Sequence, residues 1–262
     1  AFARLLSSPL IICSAFADFL SSDYDISMNT IVTNMTMLRT VCNWVRKQGV
    51  TNNDPFFGYD MPKALYGTPY FLTIQERDQV LGADLTDDAE LAEYRDMFVF
   101  QCMVGCRHSD LVTFTPKNII DGVLEYIPIK TKGKSGDVVR VPLIPKAMAI
   151  LDGHDHGDDE PIFPKHYNFK FNDAIRRILK RAKVNRVVTV INPKTRLEEK
   201  KPISDVATSH LARRTFIGNL YRMVKDPDSV ASMSGHAKGS VAFARYRVID
   251  DDMKKSLVEL IQ

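Results

Sequence analysis

From Met28 to Lys47 apolar residues recur mostly three or four positions apart: Ile31, Met35, Leu38, Val41, Trp44 and Val45. That period lays them along one stripe of a helix, and Gly49 just beyond supplies a stop. Residues 1 to about 50 read as helical throughout. Pro55, Gly58, Pro62, Gly67 and Pro69 then break the pattern, so 51–69 reads as a linker and a domain boundary. A short helix is predicted over Thr73–Gly82 and a longer one over about Asp88–Gly105, with Asp87 and Glu90 capping its start. Its buried side includes Leu91, Tyr94, Phe98 and Val104. The period then falls to two in Val123–Ile129 and Val138–Val141, a hairpin whose connection Lys130–Asp137 holds Gly133 and Gly136. Beyond it, Ala147–Leu151 is a short helix and Asn168–Lys183 a basic one. A short extended pair follows at Val187–Ile191 and Leu197–Pro202. Four more helices are predicted, at His210–Met223, Asp228–Ser234, Ser240–Val248 and Asp251–Ile261. The fold class is mainly α with a small antiparallel β-sheet, α+β.

Composition changes this picture little. With 262 residues, 45% hydrophobic and 26% charged, the chain has globular composition and the length of one large or two smaller domains. The net charge of +3 is uninformative, but its distribution is not: Lys165 to Lys201 holds 12 Lys or Arg against 3 Asp or Glu. On charge alone that block reads equally as a nucleic-acid footprint or a solvated helix face. The acidic run Asp152–Glu160 contains His154 and His156, yet reads as an exposed loop rather than a metal site. Four sparse cysteines, Cys13, Cys42, Cys102 and Cys106, show no ligand spacing and predict a reducing, intracellular setting. Cys102 and Cys106 are one turn apart on the predicted long helix, as packed thiols. Leu5–Ala17 faintly imitates a signal peptide, but Ser7, Ser8 and Pro9 interrupt it, so it reads as a helix. No stretch reaches the roughly 18 apolar residues that a membrane span needs.

Four islands carry candidate chemistry. They are Gly105-Cys106-Arg107-His108-Ser109-Asp110-Leu111, Lys132-Gly133-Lys134, His210-Leu211-Ala212-Arg213-Arg214-Thr215-Phe216, and Gly235-His236 followed ten positions later by Tyr246. Each alone has a bland reading: a helix-terminal charge, turn lysines, a helix face, a half-buried aromatic. Together and in this order they resemble the Arg…Lys…His-x-x-Arg…Gly-His…Tyr constellation of the tyrosine recombinase, or phage integrase, family. The resemblance covers roughly residues 70–262 and is similar in style to integrases of mobile elements in Bacteroides-like bacteria. Val138–Leu143 matches the strand after the lysine turn.

The resemblance implies a two-domain enzyme: a helical core-binding domain at 1–65 and a catalytic domain at 70–262. It implies site-specific cutting and rejoining of double-stranded DNA by a homotetramer, without cofactor or metal, in the bacterial cytoplasm. Arg107 and Arg213 would clamp the phosphate oxygens, because planar guanidiniums match that geometry. Tyr246 would be the nucleophile, His210 the base that takes its proton, Lys134 the acid for the leaving oxygen, and His236 a phosphate hydrogen bonder or a brace. Lys132 remains an alternative to Lys134. The interval from His236 to Tyr246 is one residue longer than is usual in the family, so a loop near Lys238-Gly239 would have to absorb about 100° of helical rotation. Lys132, Lys170, Arg176, Arg177, Lys180 and Arg181 are expected on DNA phosphates. The rivals are a catalytically dead architectural DNA binder and a type IB topoisomerase-like enzyme.

Overall fold

The computed structural model describes residues 9–22, 24, 26–133, 137–154, 157–224, 226–236 and 258–259. Lys134, His156 and Tyr246 lie outside the described residues, as do the helices expected over 240–261 apart from Val258 and Glu259, which are helical. The chain forms two compact units: residues 1–67 with 189–199, and residues 68–188 with 200–262.

In the first unit, α1 (Pro9–Ser22) packs against α2 (Met28–Lys47). Ser27 caps α2, its hydroxyl accepting from the Thr30 amide, which satisfies one orphan donor of the first turn. Cys13, Ile31, Met35 and Phe56 form the core. Two expectations change here. The apolar stripe of α2 is buried only in its first half, whereas Val41 and Trp44 are exposed and Cys42 packs in their stead. The supposed linker is also partly core: Phe56, Tyr59 and Met61 close over the helix pair, because two helices cannot bury both apolar faces against each other alone.

The second unit is built around α4 (Ala89–Val104), preceded by α3 (Ile74–Leu81). Met97 to Val104 are buried on every side of α4, where the sequence predicted a single buried side. Asp88, not Asp87, caps it by accepting from the Leu91 amide; Asp87 pairs instead with Arg181. The helix stops at Gly105, whose φ of +68° puts it in the left-handed region that glycine enters without penalty. Cys106 therefore lies past the helix end, not on it, though it is buried as expected. The one-turn helix α5 (His108–Leu111) follows.

Strands β1 (Ile119–Ile120), β2 (Val123–Tyr126) and β3 (Val139–Pro142) make an antiparallel sheet in that order. Leu124 pairs with Val141 and Tyr126 with Val139, and all four are buried, so the expected alternation does set the inward face. The strand expected to reach Ile129 ends at Tyr126, two residues before Pro128, and Pro128–Gly133 turns instead. Next come α6 (Pro145–Asp152), α7 (Asn168–Arg181), a two-stranded sheet of β4 (Val187–Ile191) and β5 (Glu198–Pro202), α8 (Ile203–Val206), α9 (Ser209–Val224) and α10 (Pro227–Ser234). α4 packs against α9, α7, α3 and α6. The acidic segment is exposed over 157–161, but His154 is not part of that surface: its ring packs edge-on to Phe163 and its Nε2 lies 3.6 Å from Asp96. Among the described residues there is no group of three or more potential metal ligands, and no helix long and apolar enough to cross a membrane.

Candidate active site

Three chain segments converge at the end of α4. Arg107 sits at the N-cap of α5, delivered there by the chain reversal at Gly105. His210 and Arg213 share one face of the first turn of α9. His236 follows the left-handed Gly235 that ends α10, with φ +62°. Arg107, His210 and Arg213 line a single cavity of about 380 Å³ together with Gln101, Asn168 and Ser209.

Arg213 is 1% exposed. One guanidinium nitrogen donates to the Gly105 carbonyl at 2.8 Å, and the other is 3.0 Å from His236 Nδ1 and 3.2 Å from Nε2. Those contacts hold the planar donor fork in one orientation, with its lateral freedom removed before any ligand arrives. Arg107 is looser: its Nη2 reaches the Gly235 carbonyl at 3.5 Å, while its Nη1 is buried without a hydrogen bond. Asp110 lies one turn on, 4.0 Å from that nitrogen. The Asp110 Oδ1 accepts from the Ile129 amide at 2.9 Å, so this carboxylate ties the lysine-bearing turn to the arginine loop. Spare guanidinium donors beside a cavity are what an oxyanion needs.

His236 is driven down from its ordinary 6.5 to about 3, first by burial and then by the charges of Arg213 and Arg107. At neutral pH it is an uncharged imidazole and acts through hydrogen bonds; Ser234 Oγ is 2.9 Å from its Nδ1. Lys130 is among the charges that depress it, which places the start of the lysine turn near His236. Pro128, Thr131, Gly235 and His236 line a second cavity, also about 380 Å³. Lys132 is exposed on that turn.

Tyr126 also lies close enough to feel both arginines, but burial raises its phenol far above the ordinary range. It is 7% exposed, and a nucleophile must reach its substrate. Cys106 is likewise raised by burial and is inert as a thiolate.

Most of the basic residues of α7 have acid partners. Arg176 is 3.4 Å from Asp173, Arg177 2.8 Å from Asp88, Lys180 2.8 Å from Asp205, and Arg181 pairs with Asp87. Lys170 is exposed and has no ion pair among the described residues. Sequence reading assigned no role to Asp110, Gln101, Asn168 or Ser209. Asp110 stood inside a quoted motif, one helical turn from Arg107, and that spacing was the available signal. Asn168 and Ser209, hydrogen-bonded side chain to side chain at 3.1 Å, are 41 residues apart and gave none.

The phage integrase family model matches residues 71–253. No curated protein matches the sequence. Solved structures similar to the chain include the Tn1549 transposon integrase in complex with a circular intermediate DNA, at a TM-score of 0.67 and 15% identity, covering 98% of this chain and 86% of that one. A lambda integrase dimer bound to a core site matches at 0.60 and 15% identity over 91% of this chain and 78% of that one. The XerH site-specific recombinase bound to its palindromic difH substrate matches at 0.60 and 15% identity over 94% and 71%. At such identity the structures speak to fold, and they agree with the sequence match, which spans most of the chain: it belongs to the phage integrase family, the tyrosine-type site-specific recombinases.

Proposed function

We propose that this chain breaks and rejoins double-stranded DNA at a specific site through Tyr246, for a mobile genetic element. The phenol oxygen attacks the scissile phosphorus, the bond to the 5′ oxygen breaks, and a 3′-phosphotyrosyl link forms. His210 takes the phenol proton, and Lys134, with Lys132 as the alternative, protonates the departing 5′ oxygen. Reversal of the same steps by a 5′ hydroxyl from the other duplex restores the backbone without loss of bond energy. Arg107 and Arg213 stabilise the charge that grows on the non-bridging oxygens. His236, uncharged, orients Arg213 or donates to the phosphate. Residues 1–65 would act as a core-binding domain and residues 70–262 as the catalytic domain, each on the duplex, with a homotetramer carrying out exchange between two sites.

The observation that carries this reading is the convergence of Arg107, His210 and Arg213 on one cavity, from segments about a hundred residues apart. The test uses a nicked suicide duplex bearing the site recovered from a randomised pool. Wild-type protein forms a denaturant-stable covalent complex in EDTA, mapped to Tyr246, and Tyr246→Phe forms none while still binding. Arg213→Ala loses at least a hundredfold in rate. An adduct on Tyr167 or Tyr221 would move the nucleophile and keep the enzyme class. Tight binding with no adduct would favour the architectural reading, and relaxation of supercoils by a monomer the topoisomerase-like one.

A further inference from the structure

We infer that Tyr167, Phe169 and Lys170, at the leading end of α7, form a base-reading edge that enters the major groove beside the scissile phosphate and seats its aromatic pair against the 5-methyl group of a thymine. The inference rests on the recombinase reading above and assigns it a specificity element. Tyr167 is 74% and Phe169 68% exposed, and their rings stack on each other at 5.9 Å and 23°. A lone exposed aromatic means little, but two exposed rings stacked on each other form a preassembled apolar surface. Tyr167 is moreover the N-cap of α7, and its side chain makes no capping hydrogen bond. Ser, Thr, Asp or Asn would stabilise the helix there by about a further 1 kcal/mol. A helix start that forgoes its side-chain cap for an exposed aromatic is a local rule broken, and such breaks concentrate at functional positions.

The surroundings name the occupant. Asn168, between the two aromatics, lines the cavity of Arg107, His210 and Arg213, and its Oδ1 accepts from Ser209 Oγ at the start of α9. The edge is thus continuous with the proposed phosphate site. No Asp or Glu stands between Pro161 and Asn172, while Lys165 and Lys170 are exposed. The rest of α7 offers a polyanion far less: Arg177, Lys180 and Arg181 are held by carboxylates, and Phe171, Ile175, Ile178 and Leu179 are buried. A helix end about 10–12 Å across fits the major groove, about 12 Å wide, and not the minor groove of about 6 Å. In the major groove the thymine methyl is the base feature that an apolar side chain can read.

The experiment selects a preferred duplex from a randomised pool with the full chain, then replaces its thymines one at a time by deoxyuridine, which removes only the methyl. Wild-type affinity should fall about fourfold at one or two positions, the value of one buried methyl group. Tyr167→Ala/Phe169→Ala should show no fall at those positions. Its preference for the selected over a scrambled duplex should drop by about fourfold for each sensitive thymine. A scan of the wild type with no sensitive thymine overturns the inference, and so does a double variant as sensitive as wild type. Either result in a protein that still forms the Tyr246 adduct leaves the recombinase reading standing. A wild type that selects no site and forms no adduct overturns both.

Discussion

His236 shows how a titratable side chain is made into a fixed neutral group. Burial and the two guanidiniums hold its folded-state value near 3, against an ordinary 6.5. Between those values the unfolded chain binds the proton and the folded chain does not. The contribution to stability is therefore complete above about pH 6.5 and is lost as pH falls toward 3, by at most about 1.4 kcal/mol per pH unit. His108, pushed down by burial and by His166, acts in the same direction. Urea midpoints of wild type and His236→Gln at pH 7 and pH 4.5 check this: the variant should lose distinctly less on acidification, and parallel losses would place the proton elsewhere. Tyr126 gives a second expectation of opposite sign. Its buried hydroxyl has no hydrogen-bond partner among the described residues, and a buried unmet polar group costs about 1–3 kcal/mol. Tyr126→Phe should be as stable as wild type or up to about 1 kcal/mol more so, and should still form the adduct; a lost adduct would make Tyr126 a participant. At this scale Arg107, His210, Arg213 and His236 could be nominated from the sequence by residue type and order, and the fold brings these candidates together. Asp110, which bridges two islands through the Ile129 amide, had its residue type in view but not its partner, since a hydrogen bond to a distant backbone leaves no periodicity.

Elements were legible where their ends carry their own chemistry. Thr73 and Glu76 form a reciprocal capping box on α3, and Gly105 and Gly235 end α4 and α10 in the left-handed region; all are local signals. The end of β2 before Pro128, the two-residue β1 and the burial of α4 on every side depend on neighbours, which a pattern of single residues does not contain. Gly105 joins both kinds of information. Its positive φ is strained for any L side chain, and an added Cβ would lie 2.3 Å from Phe216 Cδ1. Left-handed strain of about 1–2 kcal/mol and overpacking of about 1–3 kcal/mol act together. Gly105→Ala should thus destabilise by about 2–5 kcal/mol in chemical denaturation. It should also disturb the carbonyl that orients Arg213, slowing adduct formation. Adding Phe216→Ala removes the clash and leaves the strain, so the double variant should be more stable than the two single losses summed. Strict additivity would mean that the glycine is required for φ alone.

Across the whole molecule the division into units was only partly visible. Breakers near 51–69 marked a boundary, but the outer part of the β4–β5 hairpin, 189–199, groups with the first unit, an association made in space that local composition does not encode. Charge behaves the same way. The sequence shows a basic block with 12 cations against 3 acids, and the fold brings to it acids from elsewhere in the chain, Asp87, Asp88 and Asp205. An arginine that leaves such a carboxylate for a phosphate exchanges one ion pair for another and exposes an acid to the DNA, so the net release of counterions is small. Lys170 has no acid partner to give up among the described residues. Each phosphate newly neutralised contributes about 0.9 to the slope of log affinity against log salt. Lys170→Ala should therefore reduce the slope on duplex DNA by about 0.9. Arg181→Ala should change it by less than half as much, with little effect on folding, because exposed pairs are worth about 0–1 kcal/mol. Titrations from low to moderate salt with both variants measure this directly. Equal reductions would show that the α7 ion pairs open on DNA and that the whole basic face of the helix, rather than its leading end, meets the backbone.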